Sequence, residues 1–342
     1  MIDTQTHQRI LVTGGAGFIG SHLVLRLVRD FPQWTIHNLD ALTYAADLSH
    51  LAPISQAPNY RFHHLDITDV PALTELWETH QFDAVIHLAA ESHVDRSIQG
   101  PEVFLTTNVQ GTLNLLTLAL KHWKDQPENR FHHISTDEVY GSLGPEGYFS
   151  EQSPYAPNSP YAASKASADH WVRAYAHTYG LNAVITNCSN NYGPHQHPEK
   201  LIPLSVERMW RMESVPMYGD GQQVRDWLHV TDHVSGILEV FLKAAPGAQY
   251  VIGGKNEWKN QELLREIARV VDQLLGRTPG TSAALITPVQ DRLGHDRRYA
   301  INPQKIEQEL GWMVQKDLRS GLEETVAWCL ERAQSAQNTP KP

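Results

Sequence analysis

This sequence predicts an α/β fold, a doubly wound parallel sheet followed by a smaller C-terminal α/β lobe. Three observations carry that expectation. Short apolar runs alternate with longer stretches of helical period through the first half of the chain. A glycine-rich turn, Thr13-Gly-Gly-Ala-Gly-Phe-Ile-Gly20, joins the first apolar run to the first helical stretch. Beyond Asn187 the alternation weakens and loop segments multiply.

Each element follows from its residues. Positions 9–13 read as a short buried strand. Positions 18–30 read as a helix, because Ile19, Leu23 and Leu27 recur every four residues and share a face. Strands are predicted over 35–39 and 60–65, a helix over 70–80, and a strand over 83–88. A long helix over 103–123 precedes a strand over 130–135. This spacing implies βαβ units with right-handed crossovers. Residues 141–160 carry Pro145, Pro154, Pro157 and Pro160 with three glycines, and read as a loop that walls the site. A helix over 230–243 and a strand over 250–252 return to the first sheet. The first domain is thus expected over 9–187 and 222–252, the second over 188–221 and 253–334, and a frayed tail over 335–342.

The 342 residues suffice for two domains, and the formal net charge of -10 argues against nucleic acid as a partner. Cys188 and Cys329 give neither a disulfide framework nor a zinc pattern, and the 19 histidines form no ligand motif, so no metal is expected. Residues 1–8 are polar, and no apolar run approaches the roughly 20 residues of a membrane helix. A reducing cytoplasm and no membrane are the expectation.

Gly14, Gly17 and Gly20 form a G-x-x-G-x-x-G turn, with Phe18 and Ile19 opening the helix. Such a turn lets backbone approach a pyrophosphate at a helix N-terminus, where free N–H groups favour anions. Asp40 ends the next strand, where a carboxylate accepts hydrogen bonds from a ribose and repels a 2′-phosphate; Ala41 rather than an arginine follows. The fold is therefore of Rossmann type, and NAD is favoured over NADP. Asp66 and Ile67 either reach the adenine or cap the next helix. Leu88, Ala89, Ala90 and Ser92 are small enough, after the fourth strand, for backbone to lie against the cofactor.

Two chemical devices lie close together. Tyr161 and Lys165, spaced i,i+4 on a helix, share a face. An ammonium neighbour and a positive nicotinamide ring would draw the phenol below its ordinary value near 10, making it a base. By itself such a spacing is also that of a surface pair. Thr136-Asp137-Glu138 ends a strand, and an adjacent acid and base are what elimination of water needs. Neighbours in a strand face opposite sides, so the chain must bend there for both to reach one substrate. A pair capping a loop is the other reading.

These stretches, with Ala89-Ala-Glu-Ser-His-Val-Asp-Arg-Ser-Ile98, Asn187-Cys-Ser-Asn-Asn-Tyr-Gly-Pro194, Pro198-Glu-Lys-Leu-Ile-Pro203, Arg225-Asp-Trp227 and Asp291-Arg-Leu-Gly-His-Asp-Arg-Arg-Tyr299, resemble the extended short-chain dehydrogenase/reductase family. Within it they are most similar to the dTDP-glucose 4,6-dehydratases, from about Arg9 to Glu331. The resemblance implies that Tyr161 deprotonates the C4 hydroxyl as hydride passes to NAD+, with Thr136 bonded to the forming ketone. It implies that Glu138 takes the C5 proton while Asp137 protonates the departing C6 hydroxyl, before hydride returns to C6. Lys165, Leu42, Thr43, Thr107 and Asn191 would join the cofactor contacts. The nucleotide sugar would meet Ser92, Thr136, Asn190, Lys200, Leu201, Pro216, Tyr218, Arg225, Asn260, Asp291, Arg292 and His295. A homodimer through the helices over 103–123 and 161–178 is implied as well. Other readings are a dehydratase of UDP- or CDP-glucose, an NAD-dependent 4-epimerase, and a non-catalytic NAD sensor.

Overall fold

The computed structural model describes residues 2, 4–291 and 293–338. Strand β1 (Arg9–Thr13) leads to α1 (Phe18–Asp30), β2 (Thr35–Asp40), β3 (Tyr60–His64), α2 (Val70–His80) and β4 (Ala84–His87). Next come α3 (Val94–Gln99), α4 (Glu102–Phe104), a π-helical segment (Leu105–Gly111) and α5 (Thr112–His122). They are followed by β5 (Arg130–Thr136), α6 (Pro160–Tyr179), β6 (Ala183–Cys188), β7 (Asn190–Tyr192), α7 (Leu201–Trp210), β8 (Val215–Tyr218), β9 (Val224–His229) and α8 (Val230–Lys243). The last elements are β10 (Gln249–Ile252), β11 (Glu257–Lys259), α9 (Asn260–Leu274), β12 (Ile286–Val289), α10 (Gln304–Leu310) and α11 (Leu318–Asn338).

Seven strands form one sheet in the order β10-β6-β5-β4-β1-β2-β3, and neighbouring strands run parallel. Strand alternation sends successive β1 residues to opposite faces. Ile10 and Val12 pack with Leu23, Leu27 and Phe241 on the α1–α8 face. Leu11 packs with Trp77, Leu115 and Val172 on the α2–α5–α6 face. Covered on both sides, such strands read as nearly unbroken buried runs. The order reverses between β1 and β4, and at such a switch point the carboxyl ends of the strands open a crevice.

The smaller part combines a three-stranded β11-β9-β7 sheet and a β12-β8 pair. Around them Ile202, Val206, Leu263, Ile267, Leu322 and Val326 of α7, α9 and α11 form a separate core. β9 joins this small sheet, whereas α8 and β10 return to the large one.

Three expectations change. The helix over 103–123 is continuous from 102 to 122 but widens into π-helical turns at 105–111. Its length and composition would suit a membrane span, yet 56% of its apolar 18-residue window is buried, with Leu115, Leu116 and Ala119 inside the core. The segment over 141–159 lines none of the cavity described below; it lies instead along residues 298–302. Leu143 N donates to Arg298 O (3.0 Å) and Phe149 N to Ala300 O (2.9 Å), burying Phe149 beside Val139, Val251 and Ile301. The expected tail begins inside α11, and residues 339–342 lie outside the described residues.

Candidate active site

A cavity of about 350 Å³ opens at the carboxyl ends of β1, β2, β4, β5 and β6. Its floor is the glycine turn. Gly14 has φ +73°, and a Cβ there would sit 2.6 Å from Ala89 N; one at Gly20 would sit 2.1 Å from Gly14 O. Only glycine lets the turn pack this closely against the loop after β4. Gly17 precedes α1 without a side-chain cap, and the first turn, Phe18 to Gly20, lines the cavity. Asp40 lines the cavity while accepting from Ala16 N and Leu42 N, both at 2.9 Å. Burial raises its pKa, and those two bonds oppose the rise.

Of the expected cofactor contacts, Phe18, Ile19, Ala41, Thr43, Asp66, Ile67, Leu88, Ala89, Ala90, Ser92, Thr107 and Asn191 also line the cavity. Leu42 does not; its φ of +52° carries the chain past the rim. Asp66 lines the cavity, and its Oδ1 accepts from Thr68 N and Oγ1 at 2.8 Å without capping the next helix. The cap of α2 belongs to Asp69, which accepts from Ala72 N (3.1 Å).

The bend required after Thr136 is present. β5 ends there, a 3₁₀ turn runs over Asp137–Tyr140, and Gly141 leaves it at φ +84°. Thr136 Oγ1 accepts from Glu138 N (3.3 Å), so its side chain starts the turn. With about three residues per turn, successive side chains diverge by about 120° rather than 180°. Asp137, Glu138 and Tyr161 consequently all border one cavity. Asp137 is buried, and burial first, then the charges of Glu138 and Asp226, hold its carboxyl well above the usual range. Burial thus favours its neutral, protonated form.

Tyr161 is also held protonated, by burial first and then by Glu138, Cys188 and Asp137, while the Thr136 hydroxyl pulls the other way. The drop expected from Lys165 is therefore outweighed within the protein itself. Lys165 Nζ donates to Ile134 O (2.8 Å), and burial lowers its pKa to about 8.

The substrate residues divide. Ser92, Thr136, Asn190 and Lys200 line the cavity, with Lys200 Nζ donating to Ser92 O (3.2 Å). Leu201, Pro216, Tyr218, Arg225, Asn260, Asp291 and His295 do not. They belong to the smaller part, where His295 Nδ1 lies 2.6 Å from Asp291 Oδ1 and Gln223 Nε2 donates to Asp291 Oδ2 (2.9 Å). Arg225 lies between the two groups. Its guanidinium donates to Asp296 O (2.9 Å) and lies 4.2 Å from the centre of the Tyr299 ring, and its charge reaches Asp137. Arg292 lies outside the described residues.

The family model for GDP-mannose 4,6 dehydratase matches residues 11–325. The dTDP-glucose 4,6-dehydratase of Escherichia coli is 48% identical over 339 residues, covering 94% of this chain and 93% of that protein. That of Neisseria meningitidis serogroup B is 48% identical over 340 residues, covering 97% and 96%. The crystal structure of the Streptomyces venezuelae dTDP-glucose 4,6-dehydratase with NAD and TYD bound superposes with a TM-score of 0.87 at 47% identity, covering 96% and 98%. The chain belongs to the dTDP-glucose 4,6-dehydratase family.

Several residues of this dehydratase-family site carry no signal in the sequence. Asn108, on the π-helical segment, accepts from Glu91 N (2.8 Å) and donates to Glu91 O (3.0 Å) and Ser164 Oγ (2.9 Å). It pins the loop after β4 to the helix that carries Tyr161. Glu91, Ser189, Gln196, His197 and Glu199 line the cavity without having been expected there. Away from the cavity, His37, His63 and His80 bring ring nitrogens within 4.8 Å of one another, a grouping of three elements that linear spacing conceals. His37 and His63 stack at 6° between ring planes with Nδ1 and Nε2 2.9 Å apart, so those two nitrogens engage each other rather than a common centre.

Proposed function

We infer that this protein converts dTDP-glucose to dTDP-4-keto-6-deoxyglucose with NAD as its cofactor. The single observation carrying the reading is that the Thr136-Asp137-Glu138 turn and Tyr161 border the same cavity as the glycine turn. The backbone cradle at Gly14 and Gly20, the uncapped start of α1 and the buried Asp40 fit NAD. Bound there, NAD would supply a hydride acceptor beside the sugar and a positive ring near the phenol.

The residues then act in order. Tyr161 takes the C4 hydroxyl proton, a step that needs added positive charge because the protein alone holds the phenol protonated. Thr136 donates to the C4 oxygen as it becomes a carbonyl. The carbonyl acidifies C5, so Glu138 removes that proton. Asp137, whose protonated form burial favours, gives its proton to the C6 hydroxyl, which leaves as water. Lys165 holds the cofactor's ribose and its charge favours the phenolate.

We assign 9–187 with 222–252 to cofactor binding, except for β9, which joins the small sheet and serves the nucleotide sugar together with 188–221 and 253–334. In this assignment Lys200, Arg225 and Arg292 meet the diphosphate. The protein is a homodimer through α4 to α6, where Val103, Leu105, Trp171 and Tyr179 are exposed. Sedimentation equilibrium is expected to give a dimer mass; a single monomer species contradicts it.

The test of substrate class is one turnover assay across dTDP-, UDP-, CDP- and GDP-glucose. The dTDP sugar is expected to have the highest kcat/KM, by at least about tenfold, since one well-made base contact amounts to about 1.4 kcal/mol. A UDP or CDP preference would keep the chemistry and reject this substrate.

A further inference from the structure

Below the reacting groups lies a buried polar network that the reaction does not use. Tyr161, Lys165 and Asp169 recur at i,i+4 along α6 and share one face, and all three are buried. Asp169 Oδ1 lies 3.1 Å from His133 Nε2 on β5. Its Oδ2 accepts from Tyr155 OH (2.8 Å) and from Asn187 Nδ2 (3.0 Å) on β6. Lys165 Nζ lies 3.5 Å from the same His133 nitrogen. Asn187 Nδ2 also donates to Thr136 O (3.1 Å), and Gln249 Nε2 donates to Asn187 Oδ1 (2.7 Å). One connected set therefore joins the helix bearing Tyr161 and Lys165 to the strand end bearing Thr136.

We propose that Asp169 is a positioning residue, which with His133 fixes the Lys165 ammonium beneath Tyr161 and keeps it cationic. The proposal rests on the functional reading above and adds a residue to it. A fully buried ion survives only if its neighbours compensate the lost hydration. Beyond the Ile134 carbonyl, to which its Nζ donates (2.8 Å), Lys165 has few such neighbours. His87 on β4 and His133 on β5 face it as imidazoles that burial and its own charge keep neutral. Cys188 on β6 is a buried thiol, and burial pushes its pKa well up, which favours the uncharged form. The phenol of Tyr155, which donates to Asp169, and that of Tyr140, packed edge-on against Tyr155, are likewise held protonated, by burial first. That leaves Asp169. Burial works against its charge, yet the His133 hydrogen bond and the Lys165 charge bring its pKa below the ordinary carboxylate value. Its anion is the largest influence opposing the burial that draws Lys165 down to about 8.

The sign follows directly. Lys165 loses its charge as pH rises through about 8, and without the Asp169 anion that loss moves to lower pH. A cation lost from beneath the ribose weakens both cofactor retention and activation of Tyr161.

The test uses the full chain carrying its cofactor. Asp169→Asn is expected to move the alkaline limb of kcat down by about one pH unit or more, a loss of roughly fivefold or more near pH 8 that recovers near pH 6. KM should change little, because Asp169 does not touch substrate. NAD retained through gel filtration should fall at about pH 8 and be kept at about pH 6, while Asp169→Glu should restore most of both. An unmoved limb, or a loss equal at both pH values, would overturn the proposal by showing no role or only a structural one. If Asp169→Asn does not fold, the wild type decides alone: kcat and NAD retention flat to above about pH 9 would overturn it. A wild type that turns over no nucleotide sugar would fail the functional reading and leave NAD retention as the readout here.

Discussion

Asp137→Asn is expected to stop the reaction after its first step. Asparagine fills the same space and is neutral, the form that burial favours for Asp137, so stability should change by no more than about 1 kcal/mol. What the amide lacks is a transferable proton. The C6 hydroxyl would then have to leave unassisted, and turnover should fall by about 10²- to 10⁴-fold, the usual contribution of a positioned acid. Oxidation at C4 needs only Tyr161, Lys165 and the cofactor. The variant should therefore show the near-ultraviolet absorbance of reduced nicotinamide on mixing with substrate, and hold it. Stopped-flow absorbance checks this. Turnover within a factor of two of wild type would remove Asp137 from the mechanism and favour an epimerase-like use of the site.

Tyr161→Phe is expected to fail earlier. The ring keeps its burial and its edge contact with Phe104, whose centroid lies 6.4 Å away, so the fold should be preserved. The proton acceptor for the C4 hydroxyl is gone, however, and both oxidation and every later step depend on it. Turnover should fall by about 10²- to 10⁴-fold with no reduced-cofactor absorbance at any time. The two variants thus separate the steps: one accumulates reduced cofactor and the other does not. Absorbance in Tyr161→Phe at the wild-type rate would mean that another group takes the proton.

The parts of this fold that were legible in the sequence are those set by local periodicity and by glycine. Strands buried on both faces stand out as apolar runs, and the turn around Gly14 and Gly20 is recognisable because any side chain there would collide with backbone. The bend after Thr136 was legible as a requirement, and the 3₁₀ turn starting at Asp137 meets it. Tertiary pairing was not legible. Residues 141–159 looked like a wall because proline and glycine mark a loop without saying what it lies against, and the partner is a segment some 150 positions on. The π-helical turns around Asn108 leave no periodic signature over so few residues. The Asp169 network was missed for a related reason: His133, Asn187 and Gln249 are polar residues inside parallel strands, and polarity there resembles exposure until the burial is seen.

The account turns on one hydride making a round trip inside one site, from C4 to C6 of the same sugar. The most direct measurement supplies dTDP-glucose deuterated at C4 to the protein without added NAD and locates the label in the product. Deuterium at C6, with none lost to solvent, is the predicted result. Deuterium appearing in water, or remaining at C4 of a sugar that has lost no water, would contradict it.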